Sequence, residues 1–310
     1  MTDFRFGLGI GDFPEDGSSG TEFMSKTINY LKETGQQYDS IWIPDHLSHF
    51  INGKRVDVFE SMTTISHISA LFTKHIFGTC VLCNSFRNPA LTAKMSATLD
   101  ALTGGRFILG IGGGWHKLEY EQYGYEYPPN MVRIRQLEEA ARIIKGLWKQ
   151  DDFSFNGQYY SVKNVSCYPK PKNPRLMIGG SGEALTLKVV AKHADLWNAA
   201  LISPGAYKRK VGVLRRHCVR VGRNFDEVGR TLLCFISLAD SDAEAKRLAS
   251  VTDFRDYPLV VGSPRSVVKH LGEYVDAGVE GFITVFVPFP DARASLLFAE
   301  EVMPELGISP

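Results

Sequence analysis

The chain has 310 residues, 44% of them hydrophobic, and 35 Lys and Arg stand against 34 Asp and Glu for a formal charge of +1. That balance leaves no global field to draw nucleic acid or an anionic membrane. The opening MTDFRFGLGIGDF lacks a leader pattern, no uncharged apolar run nears the roughly 18 residues of a membrane span, and five cysteines fit a reducing cytoplasm.

Residues 4–10 alternate as a strand, with 11–20 as its loop, and helical spacing over 22–35 ends at Gly35. Ser40-Ile-Trp-Ile43 is a second strand, and Pro44-Asp45-His46 stands at its C-terminal end. A helix over 59–72, a strand over 75–82 and a helix over 89–102 follow, the last opened by a proline in its first turn. Thr103-Gly104-Gly105 closes that helix, because glycine accepts the left-handed backbone of a helix end. Phe107-Ile108-Leu109 is a buried strand running into Gly110-Ile-Gly-Gly-Gly-Trp115, and 131–148 is a long helix.

Residues 151–174 break the rhythm with a hairpin turning at Asn156-Gly157 and a proline-rich connector. Strands at 176–178, 195–200, 231–239 and 281–287 then alternate with helices at 183–193, 204–221, 242–250, 264–277 and 293–306. Eight strand–helix units predict a (β/α)8 TIM barrel of the α/β class, with insertions at about 151–174 and 240–262.

Such barrels keep their working groups at the C-terminal ends of the strands. That filter selects Asp45-His46, where an imidazole can donate a hydrogen bond or shuttle a proton. It also selects Thr79-Cys80-Val81, whose small residues leave room near the axis. A third place is Gly112-Gly113-Gly114 with Trp115, His116 and Glu119, where missing side chains let a flat or anionic ligand touch backbone; the plainer reading is a tight turn. The fourth is Gly179-Gly180-Ser181-Gly182, a strand end running into a helix start suited to a phosphate, or a turn capped by Ser181. Cys80-Val-Leu-Cys83 has the spacing of a metal or redox pair, but strand positions three apart face opposite sides and no second pair completes a site.

LDALTGGRFILGIGGGW, WIPDHL, GTCVL, IGGSGEALTLKVVAKHADLWN and VVGSPRSVVKHLGEYVDAGVEGF together resemble the bacterial luciferase-like monooxygenase family over residues 6–306. The resemblance implies one luciferase-like domain over 1–310 that binds a flavin or the deazaflavin F420 at the C-terminal face, usually as a homodimer. By the same likeness His46 sits near the reactive ring edge, and Cys80-Val81 is a non-prolyl cis peptide supporting the ring's face. Gly112–Gly114, with Trp115 and His116 beside them, meet the cofactor tail, and Gly179–Gly182 meet its phosphate.

The chain looks most like the F420-dependent subgroup, which implies hydride transfer between F420 and an organic substrate. The alternatives are an FMN-dependent monooxygenase and a non-catalytic flavin-binding relative. Some F420 enzymes place a glutamate proton donor after the glycine loop; Trp115 stands there instead, leaving Asp45, His46 and Glu119 as the catalytic candidates. Ser66, Ser69, Ala93, Ser96 and Ala97 are expected to be exposed small residues at a dimer contact.

Overall fold

The computed structural model describes residues 4–307 apart from 12, 15, 52 and 253. The strands in chain order are β1 (Phe6–Gly9), β2 (Ser40–Ile43), β3 (His49–Ile51), β4 (Lys54–Val56), β5 (Ile76–Thr79), β6 (Leu82–Cys83) and β7 (Phe107–Gly112). They continue as β8 (Phe153–Asn156), β9 (Ser161–Val165), β10 (Arg175–Gly179), β11 (Leu196–Ala200), β12 (Gly229–Leu238), β13 (Leu259–Gly262) and β14 (Gly281–Phe286). The helices are α1 (Gly20–Thr34), α2 (Ser61–Leu71), α3 (Pro89–Thr103), α4 (Lys117–Gln122) and α5 (Asn130–Lys149). After them come α6 (Thr186–His193), α7 (Pro204–Arg220), α8 (Asp242–Val251), α9 (Pro264–Asp276) and α10 (Ala292–Leu297). This strand-and-helix order is that of a (β/α)8 barrel, as the sequence predicts. Among the described residues no helix is long and apolar enough to cross a membrane.

Contacts gather the described residues into two compact units. The first takes the chain up to Glu60, Ala199–Gly212 and the residues from Gly229 onward. In it β1 lies parallel between β14 and β2, with Leu8 opposite Thr284 and Ile41. All four residues of β1 are buried, the mark of a strand covered on both faces. Gly7 gives Trp42 its place, since a Cβ there would stand 2.4 Å from the indole nitrogen. β12 pairs in parallel with β14 and with β13.

The second unit takes Ser61–Asn198 and Val213–Val228. Here β7 pairs in parallel with β5 and β10, and β10 with β11. α3 is bounded as its sequence dictates. The Asn88 side chain accepts from the Ala90 N–H at 2.9 Å, Pro89 sits in the first turn, and Gly104 ends the helix at φ +70°.

Several expectations are corrected. Ser69, Ala93, Ser96 and Ala97 are buried and only Ser66 is exposed. The small residues of α3 make room for Trp148 of α5, whose indole N–H donates to the Ala93 carbonyl and the Ser96 hydroxyl, so they offer no free face. Gly110–Gly112 belong to β7 and lie in register with Met177–Gly179 of β10 instead of opening a loop. The hairpin β8–β9 turns through 157–160, not at a two-residue Asn-Gly corner, because the Glu139 carboxylate gathers the N–H groups of Gln158, Tyr159 and Tyr160 at 2.7–3.0 Å. The segment 240–262 carries β13 beside α8, and 47–57 carries the hairpin β3–β4. α6 begins at Thr186, so Ser181 does not cap it. The last helix passes into a wider turn at Phe298–Val302 and then a tight one over Met303–Leu306, where Pro304 has no N–H to continue the ladder.

Candidate active site

In the second unit, the ends of β5, β7 and β10 form one densely fitted cradle. β5 stops at Thr79, and the peptide bond Cys80–Val81 that follows is cis. Thr79 is fully buried, and its hydroxyl donates to the Gly110 carbonyl at 2.8 Å while accepting from the Gly110 N–H at 2.9 Å. A Cβ on Gly110 would lie 2.0 Å from the Thr79 carbonyl oxygen. Val81 is seated between two glycines, for a Cβ on Gly112 or on Gly179 would come within 2.8 Å of its methyl group. The Cys80 thiol reaches the Asn198 side-chain oxygen at 3.5 Å, and burial pushes that thiol up to about 12.

The next two glycines are fitted as closely. A Cβ on Gly113 would meet Ile134 at 2.7 Å. One on Gly114, at φ +73°, would stand 2.0 Å from the Tyr120 hydroxyl. Tyr120 is buried beneath this turn, where its hydroxyl meets the Cys83 thiol and the Ser85 hydroxyl, each at 3.0 Å. Burial holds the phenol well above its ordinary range. The glycines therefore serve packing first, and what they present outward is backbone.

Arg133, at the start of α5, is 6% exposed. Its Nε donates to the Gly113 carbonyl at 3.2 Å, its Nη1 donates to the Pro128 carbonyl, and its guanidinium lies 4.1 Å over the Tyr127 ring. Among the described residues no carboxylate lies against this cation. Glu119, in the first turn of α4, is 2% exposed, with an oxygen 3.2 Å from His116 Nδ1. Trp115 is 62% exposed, 5.0 Å from the His116 ring.

The loop after β10 is anchored at both ends. The Gly180 N–H donates to the Asn198 carbonyl at 3.0 Å, and the Gly180 carbonyl accepts from the Trp197 indole at 2.8 Å. Gly180 has φ +126°, which a side chain rarely adopts. The Gly180 N–H is thus committed to the sheet, and backbone from Ser181 onward carries any anion site here. His217 Nε2, on α7, sits 2.8 Å from the Glu183 carbonyl at the far end of the loop.

In the first unit, Asp45 is buried and His46 half-buried, just past the C-terminal end of β2. Three residues on, His49 stacks on Phe13 with ring centroids 3.7 Å apart. Phe13 meets Phe254, which stacks on Phe235 of β12 at 4.5 Å, so rings from the β1, β2 and 240–262 segments form a continuous row.

Arg133, Tyr120 and Asn198 are absent from the sequence-level candidates. Arg133 left a readable signal, because it lies four residues before Leu137 on the apolar face of α5, where a charge needs a reason. Tyr120 and Asn198 left none, since their roles depend on which turns meet.

A family model described as luciferase-like monooxygenase matches residues 35–258. The FMNH2-dependent dimethylsulfone monooxygenase of Pseudomonas putida is 27% identical over 275 residues, covering 86% of this chain and 72% of that protein. Among F420-dependent glucose-6-phosphate dehydrogenases, that of Kribbella flavida is 25% identical over 301 residues, covering 86% of this chain and 90% of that one. An F420-dependent secondary alcohol dehydrogenase, solved with an F420–acetone adduct, superposes with a TM-score of 0.82 over 98% of this chain and 99% of its own at 18% identity, a likeness of fold.

Proposed function

The chain belongs to the luciferase-like monooxygenase family, and from that premise we propose that it is an F420-dependent oxidoreductase moving a hydride between the deazaflavin and a small organic substrate. The observation that carries the choice of cofactor is the segment over 174–198, PRLMIGGSGEALTLKVVAKHADLWN, which looks most like the F420-dependent subgroup; relatives of both cofactor classes align with 86% of this chain.

The residues fit an anionic, flat cofactor. Arg133 is a buried cation held by two backbone carbonyls and the Tyr127 ring, and with no carboxylate against it among the described residues its charge is left to favour an anion. Bound F420 supplies the hydride-carrying ring carbon. The remaining work falls to the chain. The Cys80–Val81 turn supports one ring face, Gly112–Gly114 with Trp115 and His116 hold the tail, and within the Gly179–Gly182 loop the backbone from Ser181 onward takes the phosphate. His46 follows the strand end where barrels of this class keep their working groups, and it orients the substrate oxygen and holds its proton, with Asp45 beside it. Glu119, beside His116, is the other catalytic candidate. A homodimer in the cytoplasm completes the reading.

A second reading, oxygen-dependent monooxygenation with reduced FMN, is favoured by the 27% identity to the Pseudomonas enzyme. A panel of alcohols and carbonyl compounds separates the two. The expected result is oxygen-independent oxidation or reduction of F420, seen in its visible absorbance. Turnover confined to reduced FMN plus oxygen would replace the first reading with the second.

A further inference from the structure

The unit that contains β12, β13 and α9 holds a half-open pocket of about 280 Å³. It lies against Leu232–Cys234 of β12, between the turn that leaves β11 and the start of β13, with α9 contributing His270 and Tyr274. Most of its wall is aliphatic, formed by Leu201, Ile202, Leu232, Leu233, Leu259 and Val260. The turn that builds it is unusual. Leu201 has φ +54°, a left-handed conformation uncommon for a branched residue, and the turn is held by its N–H on the Leu233 carbonyl at 3.5 Å. The Tyr274 hydroxyl donates to the Ile202 carbonyl at 2.7 Å.

Three features define what would fit. No Lys, Arg, Asp or Glu lines the cavity, so an ionised ligand would lose its hydration without a counter-charge. An apolar cavity of roughly 150 Å³ holds benzene, and this one, at about 280 Å³, is nearly twice as large. The His270 imidazole lies parallel to the Tyr274 ring with centroids 5.8 Å apart, and it makes no hydrogen bond to the described residues. The Tyr274 hydroxyl is committed as a donor to the Ile202 carbonyl, and burial pushes the nearby Cys234 thiol up to about 12, which keeps it neutral. His270 is therefore the strong polar handle of a largely apolar pocket, with the Ser203 hydroxyl at its exposed edge.

We propose that this cavity binds a small, neutral, ring-bearing molecule with one hydroxyl or carbonyl oxygen, its rings among Leu201, Leu232, Leu259 and Val260 and its oxygen at the His270 imidazole. The proposal does not depend on which cofactor the enzyme uses. The test is titration of the full-length protein with naphthalene and with 2-naphthol, followed by ligand fluorescence and by NMR of the ligand. Both bind saturably, and 2-naphthol binds about two- to tenfold more tightly, the range of one net hydrogen bond. His270→Ala removes that preference and leaves naphthalene affinity unchanged. Leu259→Trp fills the chamber and abolishes binding of both, with circular dichroism checking the fold. Absence of saturable binding to the parent overturns the proposal, as does equal binding to a folded Leu259→Trp. A naphthol preference that persists in His270→Ala overturns it too, and that arm stands even where the tryptophan variant fails to fold.

Discussion

The glycine-lined strand ends of one unit and the ring-lined strand ends of the other treat side chains in opposite ways. Around β5, β7 and β10 the Cβ atoms missing from Gly110, Gly112, Gly113 and Gly114 would fall 2.0–2.8 Å from other protein atoms. Nothing there can move without a neighbour moving, and the buried polar groups of Thr79, Tyr120 and Arg133 meet protein partners. Around β1, β2 and β12 the contacts are ring on ring, at 3.7–5.8 Å between centroids, and the same unit keeps a cavity of about 280 Å³. Ring contacts adjust by sliding, whereas backbone fitted against backbone does not. A rigid surface suits a cofactor that is the same in every turnover, and an adjustable one suits a substrate of particular shape.

The sharpest way to break that division is at His46. His46→Ala is expected to lower turnover by about 10²–10⁴-fold, the range of a positioned proton-transfer group, with F420 affinity unchanged. Lost cofactor affinity in the binding isotherm would instead make His46 part of the cradle. The reciprocal change is Arg133→Met, which removes a charge and two hydrogen bonds at the glycine turn. F420 affinity should fall by about ten- to a hundredfold, the worth of one charged hydrogen bond, and equilibrium titration checks it.

Rigidity itself is tested by a pair of glycines. Gly110→Ala forces a methyl onto the Thr79 carbonyl at 2.0 Å, which overpacks a site with no room to yield. A loss of about 3 kcal/mol corresponds to a Tm lowered by about 6–12 °C in calorimetry. Gly272, inside α9, has nothing within 4 Å of its would-be Cβ. Gly272→Ala should raise Tm by about 1–4 °C, since alanine only narrows the unfolded ensemble.

The smallest effect concerns pH. Burial holds the His193 imidazole down to about 4 from its ordinary 6.5, against the pull of Glu138 3.8 Å away. The unfolded imidazole takes up a proton as pH falls through 6.5 and the folded one only near 4, so stability contributed above 6.5 is lost across that window. Melting curves of His193→Gln should show a shallower loss than the parent between those pH values.

Sequence periodicity was enough to read the eight strand–helix units, because strands buried on both faces and helices ended by glycine or proline leave local marks. Ser40–Ile43 and the closure of α3 at Gly104 coincide with their sequence assignment. What local pattern could not carry was pairing. Gly110–Gly112 look like a loop until β10 is laid beside them, and β13 is recognisable as a strand only once β12 offers an edge. The small residues of α3 read as an exposed face because nothing in their own spacing announces Trp148. At the candidate site, the glycines were legible as special positions, but the neighbours that make them necessary lie up to 98 residues away, as Val81 does from Gly179.

The most direct test of the whole account is a paired equilibrium titration of the purified protein with F420 and with FMN. F420 is expected to bind with a dissociation constant well below that of FMN, and Arg133→Met should narrow the gap by weakening F420. Tighter binding of FMN, unaffected by Arg133→Met and accompanied by oxygen-dependent turnover, would contradict it.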